Sequence, residues 1–122
     1  MSGDEKILVG VWSPERGFTP AFSVRADVLD KAKQAVCTDR AATHGSVERT
    51  FDALAAIWSV RLEVKVTAAQ VAILLVDLKT VRAWGNPGHA DNWVDIAGYA
   101  ACGGEVAALA ELNALSAEGV GE

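Results

Sequence analysis

The chain has 122 residues, 51% of them hydrophobic and 22% charged, with a formal net charge of -5. That length supports one domain with a real core and is too short for two, and the composition is globular rather than disordered. Acids and bases are interleaved, so no basic stripe exists; this argues against duplex nucleic acid as a partner and suits a divalent cation or a ligand arriving with one.

Residues 1–22 read as an N-terminal arm. Ile7-Leu8-Val9-Gly10-Val11-Trp12 is a short apolar run, Ser13-Pro14-Glu15-Arg16-Gly17 a turn signal, and Phe18-Thr19-Pro20-Ala21-Phe22 a second run, giving either a small β-hairpin or an extended arm whose Trp and Phe pack on the helices or on a second subunit. Pro20 would confine a second strand to an edge. The helical domain follows over residues 23–118. Ser23 is an N-cap candidate, and Val28, Ala32, Ala35 and Val36 recur on one face of a helix running to about Asp39. After a polar connection containing Arg40, His44 and Gly45, a second helix runs from about Ser46 to Leu62, with Val47, Phe51, Leu54 and Trp58 spaced by four, three and four.

Thr67-Ala68-Ala69-Gln70 has the form of a capping box. The helix it starts is apolar almost all round (Val71, Ile73, Leu74, Val76, Leu78, Val81), which predicts the most buried helix of the domain. Gly85-Asn86-Pro87-Gly88 stops it, and Asp91 or Asn92 caps a fourth helix that Gly103-Gly104 would kink before Val106, Leu109, Leu112 and Leu115 resume an apolar stripe. Residues 119–122 are a frayed tail. Four helices with short connections predict an all-α, compact four-helix bundle-like domain; its last turns and the arm offer surfaces for a homo-oligomer. Cys37 and Cys102 lack zinc or redox spacing and read as reduced thiols. With neither a leader nor a membrane-length apolar run, the expected location is cytoplasmic, without a membrane partner.

The residues suited to chemistry lie on three helices. Asn92, Asp95 and Tyr99 share one helix face, and Asp95, between Val94 and Ile96, is a carboxylate in an apolar segment that must be paired or used. Glu48 and Asp52 lie four apart on the second helix. Bundles build metal sites from inward carboxylates, and Mg²⁺ needs oxygen ligands with room for phosphate oxygens, so Asp95, Glu48 and Asp52 are the candidate metal ligands. Structural alternatives stand beside this: Glu48 and Asp52 on a solvated face, Asp91 a cap, Asp95 in a buried network with Lys79, Arg82 and Tyr99. Lys79 and Arg82 suit phosphate oxygens, although cations at a helix C-terminus need no ligand to be favoured. Arg40, His44, Asp91, Asn92 and Tyr99 complete the candidate ligand-binding set. Trp58, Trp84 and Trp93 are core aromatics in the simplest reading, with base stacking the alternative.

Four blocks resemble a small helical domain of unknown function common in phages and prophages: Arg40-x-x-x-His44-Gly45, Phe51-x-x-Leu54-Ala55-x-Ile57-Trp58, Val71-Ala72-x-Leu74-x-x-x-Leu78-Lys79-x-x-Arg82, and Asp91-Asn92-x-x-Asp95-Ile96-Ala97-Gly98-Tyr99-Ala100. The resemblance covers about residues 25 to 110, with His44 standing where that family often has Tyr, and implies a phage or prophage origin. More distantly, the layout and the Asp95-x-x-x-Tyr99 pair look like the last block of MazG-type all-α nucleotide pyrophosphohydrolases. That likeness implies Asp95 as a Mg²⁺ ligand and Lys79 and Arg82 near the phosphates of a nucleotide. In place of the E-x-x-E pair of those enzymes stand Glu48 and Asp52, at spacing four. Two functions follow: a nucleotide-binding protein with Mg²⁺-dependent pyrophosphohydrolase chemistry, or a non-catalytic phage accessory protein that sequesters a nucleotide or other phosphorylated small molecule or inhibits a host protein. A purely structural dimer is the third reading.

Overall fold

A computed structural model describes residues 10–20, 23–39 and 46–120. Its order is a hairpin of β1 (Gly10–Ser13) and β2 (Gly17–Pro20), α1 (Val24–Gln34) continued by a π-helical turn (Ala35–Asp39), α2 (Val47–Leu62), α3 (Ala68–Gly85) and α4 (Ala90–Val120). The all-α expectation holds, and the arm is a hairpin. Its strands pair antiparallel with Trp12 opposite Phe18 and Gly10 opposite Pro20, and Gly17 at φ +70 supplies the left-handed residue that leaves the turn. Trp12 and Phe18 are exposed; the expectation that they pack on the helices is not met in the single chain.

Three of the four helix starts are chemically marked. The hydroxyl of Ser23 accepts from the Ala26 N–H and that of Ser46 from the Arg49 N–H, each at 3.2 Å. Thr67 and Gln70 form the full reciprocal box, with Thr67 N–H donating to Gln70 Oε1 at 2.9 Å and Gln70 N–H to Thr67 Oγ1 at 3.2 Å. Such caps satisfy backbone donors left without an intrahelical partner. α2 ends on Glu63, in the left-handed region at φ 56, and the return to α3 is tied by a side chain the sequence does not flag. The Val66 N–H donates to Ser59 Oγ at 2.8 Å, and the Ser59 hydroxyl donates to the Val66 carbonyl at 3.2 Å. One half-buried hydroxyl thus serves both polar groups of a loop residue, which would otherwise cost roughly 1–3 kcal/mol if desolvated alone.

α4 lies antiparallel against α3 along most of the latter's length and also packs on α1, while α2 packs on α3. The core is small. Val47, Phe51 and Ala55 of α2 meet Val71 and Ala72 of α3 and Cys102 of α4, with Leu54, Trp58 and Tyr99 at the margin. Two expectations are corrected here. Gly103-Gly104 do not interrupt α4; Gly103 is where α3 approaches, since a Cβ there would stand 2.8 Å from Ala72 Cβ. Nor is α3 the most buried helix, because only Val71, Ala72 and Ala83 are buried while Ile73, Leu74, Leu78, Val81 and Trp84 are exposed. An all-round apolar helix needs covering on every side, and one chain covers only the sides facing α2 and α4. Asp91 and Asn92 fall inside the first turn of α4, which begins at Ala90, rather than capping it. From 107 to 119 every residue of α4 is exposed.

Candidate functional site

The polar centre is an ion pair that bridges α3 and α4. Lys79 Nζ lies 2.9 Å from Asp95 Oδ2, with the lysine side chain 15% and the aspartate 41% exposed. The antiparallel packing that brings Ala72 to Gly103 also brings Lys79 to Asp95. Of the partners weighed for Asp95, the structure selects Lys79. Arg82 is exposed and makes no ion pair among the described residues. A pair this open to water contributes on the order of 1 kcal/mol or less, so the fold does not depend on it.

Asp95 also borders a cleft. The π turn lays Ala35 and Val36 against α4 opposite Val94, Asp95, Gly98, Tyr99 and Cys102, enclosing a narrow space of about 40 Å³. Gly98 lets α1 come close: a Cβ there would stand 3.2 Å from Val36 Cγ1. Val36 and Cys102 also line an adjoining hollow of about 390 Å³, walled besides by Cys37, Ser46, Glu48, Ala101 and Glu105. π-helical turns are rare and recur at functional sites; this one sets the upper wall of the cleft. The hollow is within the size of small-molecule pockets, which are mainly apolar with a few polar groups fixing orientation. Here the polar groups are Asp95 and Tyr99 at the narrow end and Ser46, Glu48 and Glu105 at the wide end.

The remaining candidates are dispersed. Asp52 lines a different groove, of about 510 Å³, with Thr67, Leu109 and Asn113; Glu48 lies between the two hollows and borders both. Asp95 lines only the narrow space and Asp52 only the separate groove, with Glu48 at the hollow between them, and among the described residues no three His, Cys, Asp or Glu side chains are grouped to hold a metal ion. The proposed set Asp95, Glu48 and Asp52 therefore does not fit a shared Mg²⁺. Asn92 is buried in the first turn of α4, its N–H donating to the His89 carbonyl at 3.1 Å, and Asp91 is exposed with Oδ2 4.0 Å from His89 Nε2. Neither reaches the cleft. Arg40 and His44 lie outside the described residues. Trp58 is half-buried at the core margin, whereas Trp84 is 91% exposed and Trp93 46%; the Trp93 indole N–H donates to the Pro87 carbonyl at 2.8 Å, pinning the turn before α4.

Sequence reasoning missed Glu105, Cys102 and Val36 as cleft residues. The first two carry a signal: 95, 98, 102 and 105 are spaced by three, four and three, which places them on one face of α4. No described helix is long and apolar enough to cross a membrane.

Comparison with known proteins adds a lineage. The profile of a family described as "Domain of unknown function (DUF6378)" matches residues 27–107. The chain is 31% identical over 75 residues to the Gene 55 protein of Mycobacterium phage D29, covering 62% of this chain and 50% of that protein. It is 32% identical over 74 residues to the Gene 55 protein of Mycobacterium phage L5, covering 60% and 47% respectively. The match thus spans about half the length of these curated relatives. No solved structure matches the chain.

Proposed function

The chain belongs to the DUF6378 family of domains of unknown function and is a phage-type small helical protein; on that premise we propose that it binds a nucleotide, without turning it over, in the cleft between the π turn and α4. The observation that carries this reading is the cleft itself. Val36, Ala101 and Cys102 offer apolar walls to a base, and the carboxylates of Asp95, Glu48 and Glu105 offer acceptors to amino and hydroxyl donors. Asp95 uses Oδ2 on Lys79, and Oδ1 takes no hydrogen bond among the described residues. The walls are acidic, so recognition is of the nucleoside part. Phosphates would point outward, toward solvent or a cation they bring. The setting of this activity is the host cytoplasm.

Hydrolysis of the MazG type is the less supported extension, because Glu48, Asp52 and Asp95 are not grouped around any one point. A second reading is favoured by a separate observation. Ile57, Val60, Leu62 and Val64 are all exposed around the end of α2, an apolar patch suited to a host protein. A complex of fixed stoichiometry rebuilt from purified components would support that alternative.

Calorimetric titration with nucleosides and nucleotides, with and without Mg²⁺, tests the binding reading. Asp95→Asn should weaken binding about tenfold, the loss of one charge-assisted hydrogen bond of about 1.5 kcal/mol, while leaving the helical circular dichroism intact. Absence of heat across the whole panel, or an affinity untouched by Asp95→Asn, would sink the proposal. Pyrophosphate release would instead establish the hydrolytic form.

A further inference from the structure

The side of the α3–α4 hairpin turned away from α1 is uncovered, uncharged and graded in size. Near the connecting turn it is bulky: Trp84 of α3 and Trp93 and Ile96 of α4 line an open groove of about 460 Å³ with Ala83 and Pro87. At the other end it is a dish of about 370 Å³, where Ala100, Gly104 and Ala107 of α4 face Ile73 and Val76 of α3. The α4 residues 93, 96, 100, 104 and 107 recur at three and four, so both grooves lie on one stripe. Neither is lined by an Asp, Glu, Lys or Arg. Trp93 keeps its N–H satisfied by Pro87, so its ring can be buried without loss of a polar partner.

We propose that this face is a homodimer interface, occupied by a second copy of the chain related by a two-fold axis near Ala100. Two features select a second copy over an unrelated partner. First, a two-fold interface uses the same patch twice, so residue i meets j and j meets i. An axis at Ala100 makes positions adding to 200 face one another: Trp93 over Ala107 of the second copy, Ile96 over its Gly104. The large end of each chain then seats on the small end of the other, and the face carries its own complement. Second, Trp84, Ile73 and Trp93 on this side are 91, 60 and 46% exposed in the single chain, and with the small residues of the dish they leave open an apolar area on the order of the 800 Å² that one partner contributes to an ordinary stable interface. The face shares only Tyr99 with the lining of the Asp95 cleft and does not depend on the nucleotide reading. It would also cover Ile73 and Trp84, two of the exposed apolar side chains of α3.

The test is the mass of the full chain in solution by sedimentation velocity, with two variants. Gly104→Glu adds a side chain where nothing lies within 4 Å in the single chain, so the fold is retained, but in the dimer the new carboxylate is buried beneath Ile96 of the second copy. Val60→Glu alters a 78% exposed position on α2 and serves as the control. The expected result is a dimeric wild type, a dimeric Val60→Glu, and a monomeric Gly104→Glu with unchanged helical content. A monomeric wild type at its highest attainable concentration overturns the proposal, as does a dimer that survives Gly104→Glu or dissociates on Val60→Glu.

Discussion

Phe51→Ala lowers the free energy of unfolding by about 3–5 kcal/mol, the range for truncating a wholly buried aromatic. Phe51 is 1% exposed and, with Val71, is one of the two largest fully buried side chains. Around it stand Ala55, Val71, Ala72 and Cys102, residues too short to lean into the space a missing ring leaves. The cavity therefore stays open, and the cavity penalty adds to the lost transfer energy. For a domain whose total stability is of order 5–15 kcal/mol, the loss is a large share. Urea unfolding followed by both circular dichroism and tryptophan emission measures it, and a loss below about 1 kcal/mol would show that this is not the centre of the core.

Gly103→Ala should destabilise by about 1–3 kcal/mol, the cost of overpacking a tight contact. Helix propensity alone argues the opposite sign, since Ala is favoured over Gly by about 1 kcal/mol in a helix interior. The geometry decides: the new methyl would sit 2.8 Å from Ala72 Cβ. Ala72 is 2% exposed and is no flexible end that can swing away, so α3 and α4 must part. Restoring the room from the other side supplies the check. Ala72→Gly in the same chain should recover most of the loss, a favourable coupling read from a double-mutant cycle. Additive losses would mean that the two positions do not touch.

Much of this architecture is legible in the residues. Ser23, Ser46 and the Thr67/Gln70 pair mark three helix starts because capping is local chemistry, and the spacing of Val47 and Phe51 identifies the buried face of α2. What was not legible depends on how helices meet. Composition suggests that α3 is buried, but burial is decided by how many neighbours a chain can supply, and here they cover only part of it. The pairing of Asp95 with Lys79 follows from the axial offset of two antiparallel helices, which the turn at residues 86–89 sets and no spacing rule reveals. The π turn at Ala35–Asp39 keeps helical composition, so nothing in those letters announces the extra residue in its turn. Ser59 has a backbone partner, which leaves no mark in sequence. Of the candidate site, Asp95 and Tyr99 reach the cleft and Glu48 borders its wide end, while Asp52, Asp91, Asn92 and Arg82 lie elsewhere.

The exposed end of α4 carries a thermal consequence. Residues 107–119 have no buried face, so their helicity rests on intrinsic propensity, and segments shorter than about 12–15 residues are marginal alone in water. Gentle heating therefore unwinds this end before the rest yields. Far-UV ellipticity falls along a shallow slope while the emission of Trp12, Trp58, Trp84 and Trp93, all outside that segment, stays level until the cooperative transition. One continuous helix thus melts as two bodies, and the depth of the early slope measures how much of its length the domain leaves unsupported.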